Sequence, residues 1–115
     1  RWNLLHPTES PREAYLTRAR AGRSGPFIAA TDYIRAYADQ VREFVPGRYT
    51  VLGTDGFGRS DSRQNLRKFF EVDRPYVVVA ALKALADEGK LPAARVAEAM
   101  TRYGIDADKP ASWLV

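Results

Sequence analysis

Three glycines, two aspartates and a row of arginines fall within the fifteen residues Gly53–Arg67. Gly53, Asp55, Gly56, Phe57, Gly58, Arg59, Ser60, Asp61 and Arg63 form its centre. Glycines after a strand and before a helix can offer backbone N–H groups to a phosphate. Arg59, Arg63, Arg67 and Lys68 carry the charge that a phosphate or carboxylate would need. The run has neither the G-x-G-x-x-G spacing of a dinucleotide site nor the Lys-Ser/Thr ending of a P-loop. Phe57 is also an awkward residue for the middle of a phosphate cradle. The run reads better as a tight turn, with Phe57 inserted into the core or into an interface. Asp55 and Asp61, with Arg59 between them and Arg63 following, read as a local salt-bridge network rather than an acid pair. His6 is the only histidine and stands beside Pro7, with no orienting partner nearby, so it reads as structural. No residue is assigned to catalysis, to a metal or to a cofactor.

The elements around the run follow from pattern. Tyr49–Leu52 has strand composition, and Asp61 with Gln64 is spaced as a capping box for a helix from about Ser62 to Phe69. Phe27–Ala30 reads as a short buried strand. Between the strands, Ile34, Tyr37, Ala38, Val41, Phe44 and Val45 recur at helical spacing behind Thr31 and Asp32 as caps, until Pro46-Gly47. Tyr33, Tyr37 and Phe44 read as core. Strand, helix, strand makes a parallel βαβ unit. A short helix is expected from Pro11 to Arg20. Asp73 and Pro75 open a long helix running to Gly89, apolar nearly all round at its start and so expected to be buried there. Pro92 opens the last helix, which Gly104 ends, with Ile105 in apolar contact.

The fold class is therefore α/β: a short parallel sheet flanked by helices. A two-stranded parallel sheet is too small to stand alone, because parallel strands need covered faces and neighbours. The chain opens at Arg1, and Trp2, Leu4 and Leu5 read as the end of an earlier element. A piece of a longer polypeptide is expected.

Composition adds bounds. There is no cysteine, hence no disulfide, thiolate metal site or Cys nucleophile. The longest apolar run, Tyr76–Leu82, is too short to span a membrane, and no signal-peptide pattern occurs. A cytoplasmic location is expected. The net charge of +4 raises nucleic acid as a partner, but the basic residues sit in local patches rather than on one face.

Gly53–Arg63 closely resembles the C-terminal domain of the homodimeric pyruvate dehydrogenase E1 family. Arg1–Glu9, Phe70–Asp73, Tyr76–Leu82 and Tyr103–Lys109 resemble the same family in the same order. Ala14–Gly25 departs most. The resemblance implies an incomplete transketolase-like C-terminal domain over residues 1–115, with its first strand and helix lying before Arg1. It implies a parent that decarboxylates pyruvate on thiamine diphosphate and Mg²⁺ and passes the acetyl group to the lipoyl group of E2, the dihydrolipoyl acetyltransferase. In that architecture the cofactor lies between other domains of opposite subunits, so this stretch holds none and is inactive alone. Its role is structural and dimer-forming, with the rest of the E1 chain, a second E1 subunit and E2 as partners, and neither nucleic acid nor membrane. The alternative is a free-standing basic α/β module that binds nucleotide or nucleic acid through Gly53–Arg67.

Overall fold

The computed structural model describes all residues, 1–115. Two strands, β1 (Phe27–Ala30) and β2 (Tyr49–Leu52), pair in parallel with Phe27 opposite Tyr49 and Ala30 opposite Leu52. No other strand joins the sheet. The expected βαβ unit is thus present. The long helix that follows, α5 (Arg74–Asp87), packs on both strands and on α6 (Ala93–Tyr103). Arg48, just before β2, reaches Asp87 at the far end of α5, at 3.6 Å.

Helix ends follow the capping chemistry. Asp73 caps α5 by accepting the Tyr76 N–H at 3.2 Å. Gly104 takes φ +62°, and the Ile105 N–H bonds the Met100 carbonyl at 3.0 Å while the Gly104 N–H bonds Thr101. That is the two-bond glycine termination expected for α6. The same pair of bonds closes α4 (Arg63–Phe69), but there the left-handed residue is Glu71, at φ +63°. A left-handed glutamate is strained. Lys109 supports it, donating to Glu71 Oε1 at 3.1 Å and to the Phe69 carbonyl at 2.7 Å.

Four sequence expectations need correction. First, α4 is capped by Ser62, whose Oγ accepts the Asn65 N–H at 3.3 Å, not by Asp61 with Gln64. The Asp61 carboxylate is engaged by the Ser62 N–H at 2.6 Å and the Asn65 side-chain amide at 2.8 Å, which shifts the helix start by one residue. Second, the helix between the strands shrinks to α3 (Arg35–Asp39) and a 3₁₀ turn at Arg42–Phe44. Its expected first turn is bonded elsewhere: the Asp32 and Tyr33 carbonyls accept the Thr54 hydroxyl and N–H, both at 2.9 Å. Tyr33 and Tyr37 therefore stack on each other at the surface, 67% and 64% exposed, and Phe44 is exposed too. Third, α2 covers only Tyr15–Arg20, because Arg12 is tied to Asn3 by two hydrogen bonds and lies over the Trp2 ring at 3.2 Å, beside the short helix α1 (Trp2–Leu5). Fourth, the apolar start of α5 is half-buried, not buried, and so is β1, whose Ala30 is exposed.

Burial is sparse. Only Phe70, Val72, Ala84, Val96 and Ser112 are buried among 115 residues. The accessible surface is 8506 Å², against about 6,300 Å² expected for a compact monomer of this mass. The radius of gyration is 17.4 Å, against about 13 Å for a compact chain of this length. Some 2,200 Å² of surplus surface follows from the first pair of values.

Val72 is the one large side chain wholly out of water. Val72→Ala should therefore destabilise the fold by about 1–3 kcal/mol, between the costs of smaller and larger core truncations. Val51→Ala, on the half-buried strand β2, should cost less. Urea denaturation of both variants checks the order; equal losses would contradict it.

Candidate functional site

The loop after β2 is held from three sides. The Asp55 carboxylate accepts the Arg35 N–H at 2.9 Å and pairs with the Arg35 guanidinium. The Asp55 carbonyl accepts the Ser112 hydroxyl at 2.5 Å, which brings the C-terminal tail against the loop. Thr54 bonds back to residues 32 and 33. The Arg35 guanidinium also lies over the Trp113 ring at 4.6 Å.

The glycines serve different needs. A Cβ on Gly53 would stand 2.7 Å from the Arg35 nitrogen. A Cβ on Gly56 would stand 2.6 Å from the Ser112 carbonyl oxygen, and its φ is +115°. Gly58 has open space around it and no positive φ. Two of the three glycines therefore let backbone approach backbone, and one of those two also needs glycine's left-handed freedom.

Phe57 is not inserted into the core of this chain, one of the two places expected for it. It is 85% exposed. The loop closes beneath it on Ser112 and Arg35. The expected local network of Asp55, Arg59, Asp61 and Arg63 is also replaced. Asp55 pairs with Arg35, while Arg63 and Arg67 share Asp32 at 3.9 and 3.4 Å. Arg59 forms no ion pair and lies over the Phe69 ring at 4.2 Å. Ser60 is exposed and only flanks this arrangement. Asp32, Arg35 and Ser112, which sequence reasoning did not assign to the site, complete it. Their roles depend on contacts across 20 to 57 residues of chain.

Asp32, Gly56, Gly58, Arg59, Arg63 and Arg67 are among the residues that line a cleft of about 590 Å³. Phe57 is not part of its lining. Burial works against ionisation of Asp55, but the Arg35 N–H and guanidinium outweigh it and hold the carboxyl below its usual range. Asp61 is likewise held low, first by the Asn65 amide and then by the Ser62 N–H. His6 stacks on Trp2 at 3.6 Å and hydrogen-bonds the Trp2 carbonyl through Nδ1. The chain brings together no cluster of three or more His, Cys, Asp or Glu side chains able to hold a metal ion.

Residues 2–73 match the model of the transketolase-like TK C-terminal domain. The chain belongs to that family. This transketolase-like C-terminal domain is 61% identical over 110 residues, 96% of the chain, to a protein of Cupriavidus necator named pyruvate dehydrogenase E1 component. Proteins of the same name from Pseudomonas aeruginosa and Escherichia coli are 58% and 56% identical over 110 residues, 95% of the chain. The domain spans 12% of the length of each of these relatives. No helix in it is long and apolar enough to cross a membrane.

Two outcomes test this geometry. Gly56→Ala combines backbone strain with overpacking and should cost about 2–6 kcal/mol, whereas Gly58→Ala should stay within about 0.5 kcal/mol. Denaturant melts reading the two as equal would refute the assignment. A carboxyl whose folded pKa lies below its unfolded value of about 3.9 contributes stability above that pH. The contribution fades as pH falls through the folded value. Asp55→Asn should thus be less stable than the parent sequence at pH 5–7, with the gap narrowing below about pH 4. A gap independent of pH would show that the Asp55 charge contributes nothing.

Proposed function

We propose that this domain is the C-terminal part of a pyruvate dehydrogenase E1 subunit and serves there to complete the protomer and join it to a second one. The reading rests on the identity, over nearly the whole chain, to relatives of that name. The parent's activity in this reading is decarboxylation of pyruvate with reductive acetylation of the lipoyl group on E2. Thiamine diphosphate and Mg²⁺ belong to the rest of the parent. The residues of this domain do not fit that group: no acidic cluster could hold the metal, and the glycine loop lacks a diphosphate-binding spacing.

The surplus surface supports the structural role. A standard interface takes about 800 Å² from each partner, and this domain exposes far more than that beyond a compact monomer's share. Both strands of its sheet are edge strands, which invite pairing with further chain. Phe57 is an aromatic on a loop pinned at its base, the kind of rigid anchor that interfaces use. The loop Gly53–Arg63 is then a docking feature, and its exposed ring is covered in the assembled enzyme.

Two measurements follow. The isolated domain should show no saturable micromolar binding of thiamine diphosphate with Mg²⁺ in calorimetry, and no pyruvate decarboxylation, while the full-length protein shows both. Saturable binding by the domain alone would overturn the placement of the cofactor. In the full-length protein, Phe57→Ala should weaken the dimer by about 2 kcal/mol or more, as for an interface anchor, while secondary structure is kept. Sedimentation equilibrium reading an unchanged dimer would remove Phe57 from the interface.

A further inference from the structure

The cleft beside the loop has its own chemistry, and Phe57 is not among the residues that line it. Three guanidiniums line it, against two carboxylates. One of these, Asp61, is engaged by Ser62 and Asn65. The other, Asp32, serves Arg63 and Arg67 together. Arg67 Nε is out of water and makes no hydrogen bond, only the 3.4 Å ion-pair contact with Asp32, while its Nη2 donates to the Val72 carbonyl at 3.4 Å. Arg59 has no ion pair at all and is held only by its contact with Phe69. The backbone adds donors. None of the N–H groups of residues 55–61 donates a hydrogen bond to another backbone group, and Gly56 and Gly58 of that run line the cleft. One guanidinium in excess of the carboxylates, together with uncommitted backbone N–H groups, supplies the recognition elements for a tetrahedral oxyanion.

We propose that this cleft, built from Arg59, Arg63, Arg67 and the Gly56–Gly58 backbone, binds the phosphate group of a small phosphorylated metabolite. A bare phosphate would occupy only part of about 590 Å³, so an organic remainder has room beside it. Leu66 and Phe70 offer that remainder an apolar wall. Arg59 and Arg67 supply charge from opposite ends of the Ser60–Leu66 segment. Asp32 keeps Arg63 and Arg67 oriented when no anion is bound.

The test uses the full-length protein that carries this domain, with thiamine diphosphate and Mg²⁺ kept saturating so that any diphosphate site elsewhere is filled. Glycerol 3-phosphate is titrated in a calorimeter. Saturable binding is expected, and inorganic phosphate should compete for it. Arg59→Gln and Arg67→Ala should each raise the Kd about ten-fold or more, as the loss of a charge-assisted hydrogen bond implies. Arg95→Ala, a surface pair on α6, should leave it unchanged. Arg59→Gln keeps the test decisive if Arg67→Ala disturbs the fold, because Arg59 holds no ion pair. Absence of saturable binding would overturn the proposal. So would an unchanged Kd in Arg59→Gln, or a failure of inorganic phosphate to compete.

Discussion

The contact on which this domain depends is the double engagement of Asp55. Its carboxylate holds the first residue of α3, and its carbonyl holds Ser112 of the tail. Three stretches far apart in sequence meet at this residue. Without it the loop after β2 would keep only the Thr54 bonds to residues 32 and 33, and the tail only its hold through Lys109. Ser112 is buried while most large apolar side chains are not. Polar contacts and close backbone packing at glycine therefore organise this part of the chain more than a hydrophobic core does. Such an arrangement suits a surface that must hold its shape before anything covers it.

The remainder of the domain is organised around that base. β1 and β2 bring α3 and the loop to one edge, and α5 backs the sheet. Lys109 fastens the tail a second time, at the corner between α4 and α5 where Glu71 is held left-handed. The chain thus places a pinned loop at the end of a small sheet and leaves much of the surrounding surface exposed. Membership of the transketolase-like C-terminal family fits this, since the relatives are far longer than the domain itself.

Much of the fold was legible in local pattern. Both strands, the Asp73 cap and the Gly104 stop depend on residues within a few positions of one another, and they stand where those residues place them. The failures share one cause. The helix behind Thr31 is truncated because Thr54, more than twenty residues on, takes carbonyls that a longer helix would use. Tyr33 and Tyr37 keep helical spacing but face water, since spacing says which residues share a face and not what that face meets. Phe57 stays out of the core because what closes the turn beneath it is Ser112, which nothing nearby in sequence announces. The arginines were recognised as a group, yet their acceptor, Asp32, lies across the sheet edge.

The central claim is that the exposed ring on the pinned loop is an anchor for other parts of a larger assembly. Hydroxyl-radical footprinting of the full-length protein reads it directly, with the urea-unfolded protein as reference. Phe57, 85% exposed in the domain, should be oxidised many times more slowly in the folded assembly than in urea. Oxidation at a rate close to the unfolded reference would show the ring free in solution, and would contradict the account.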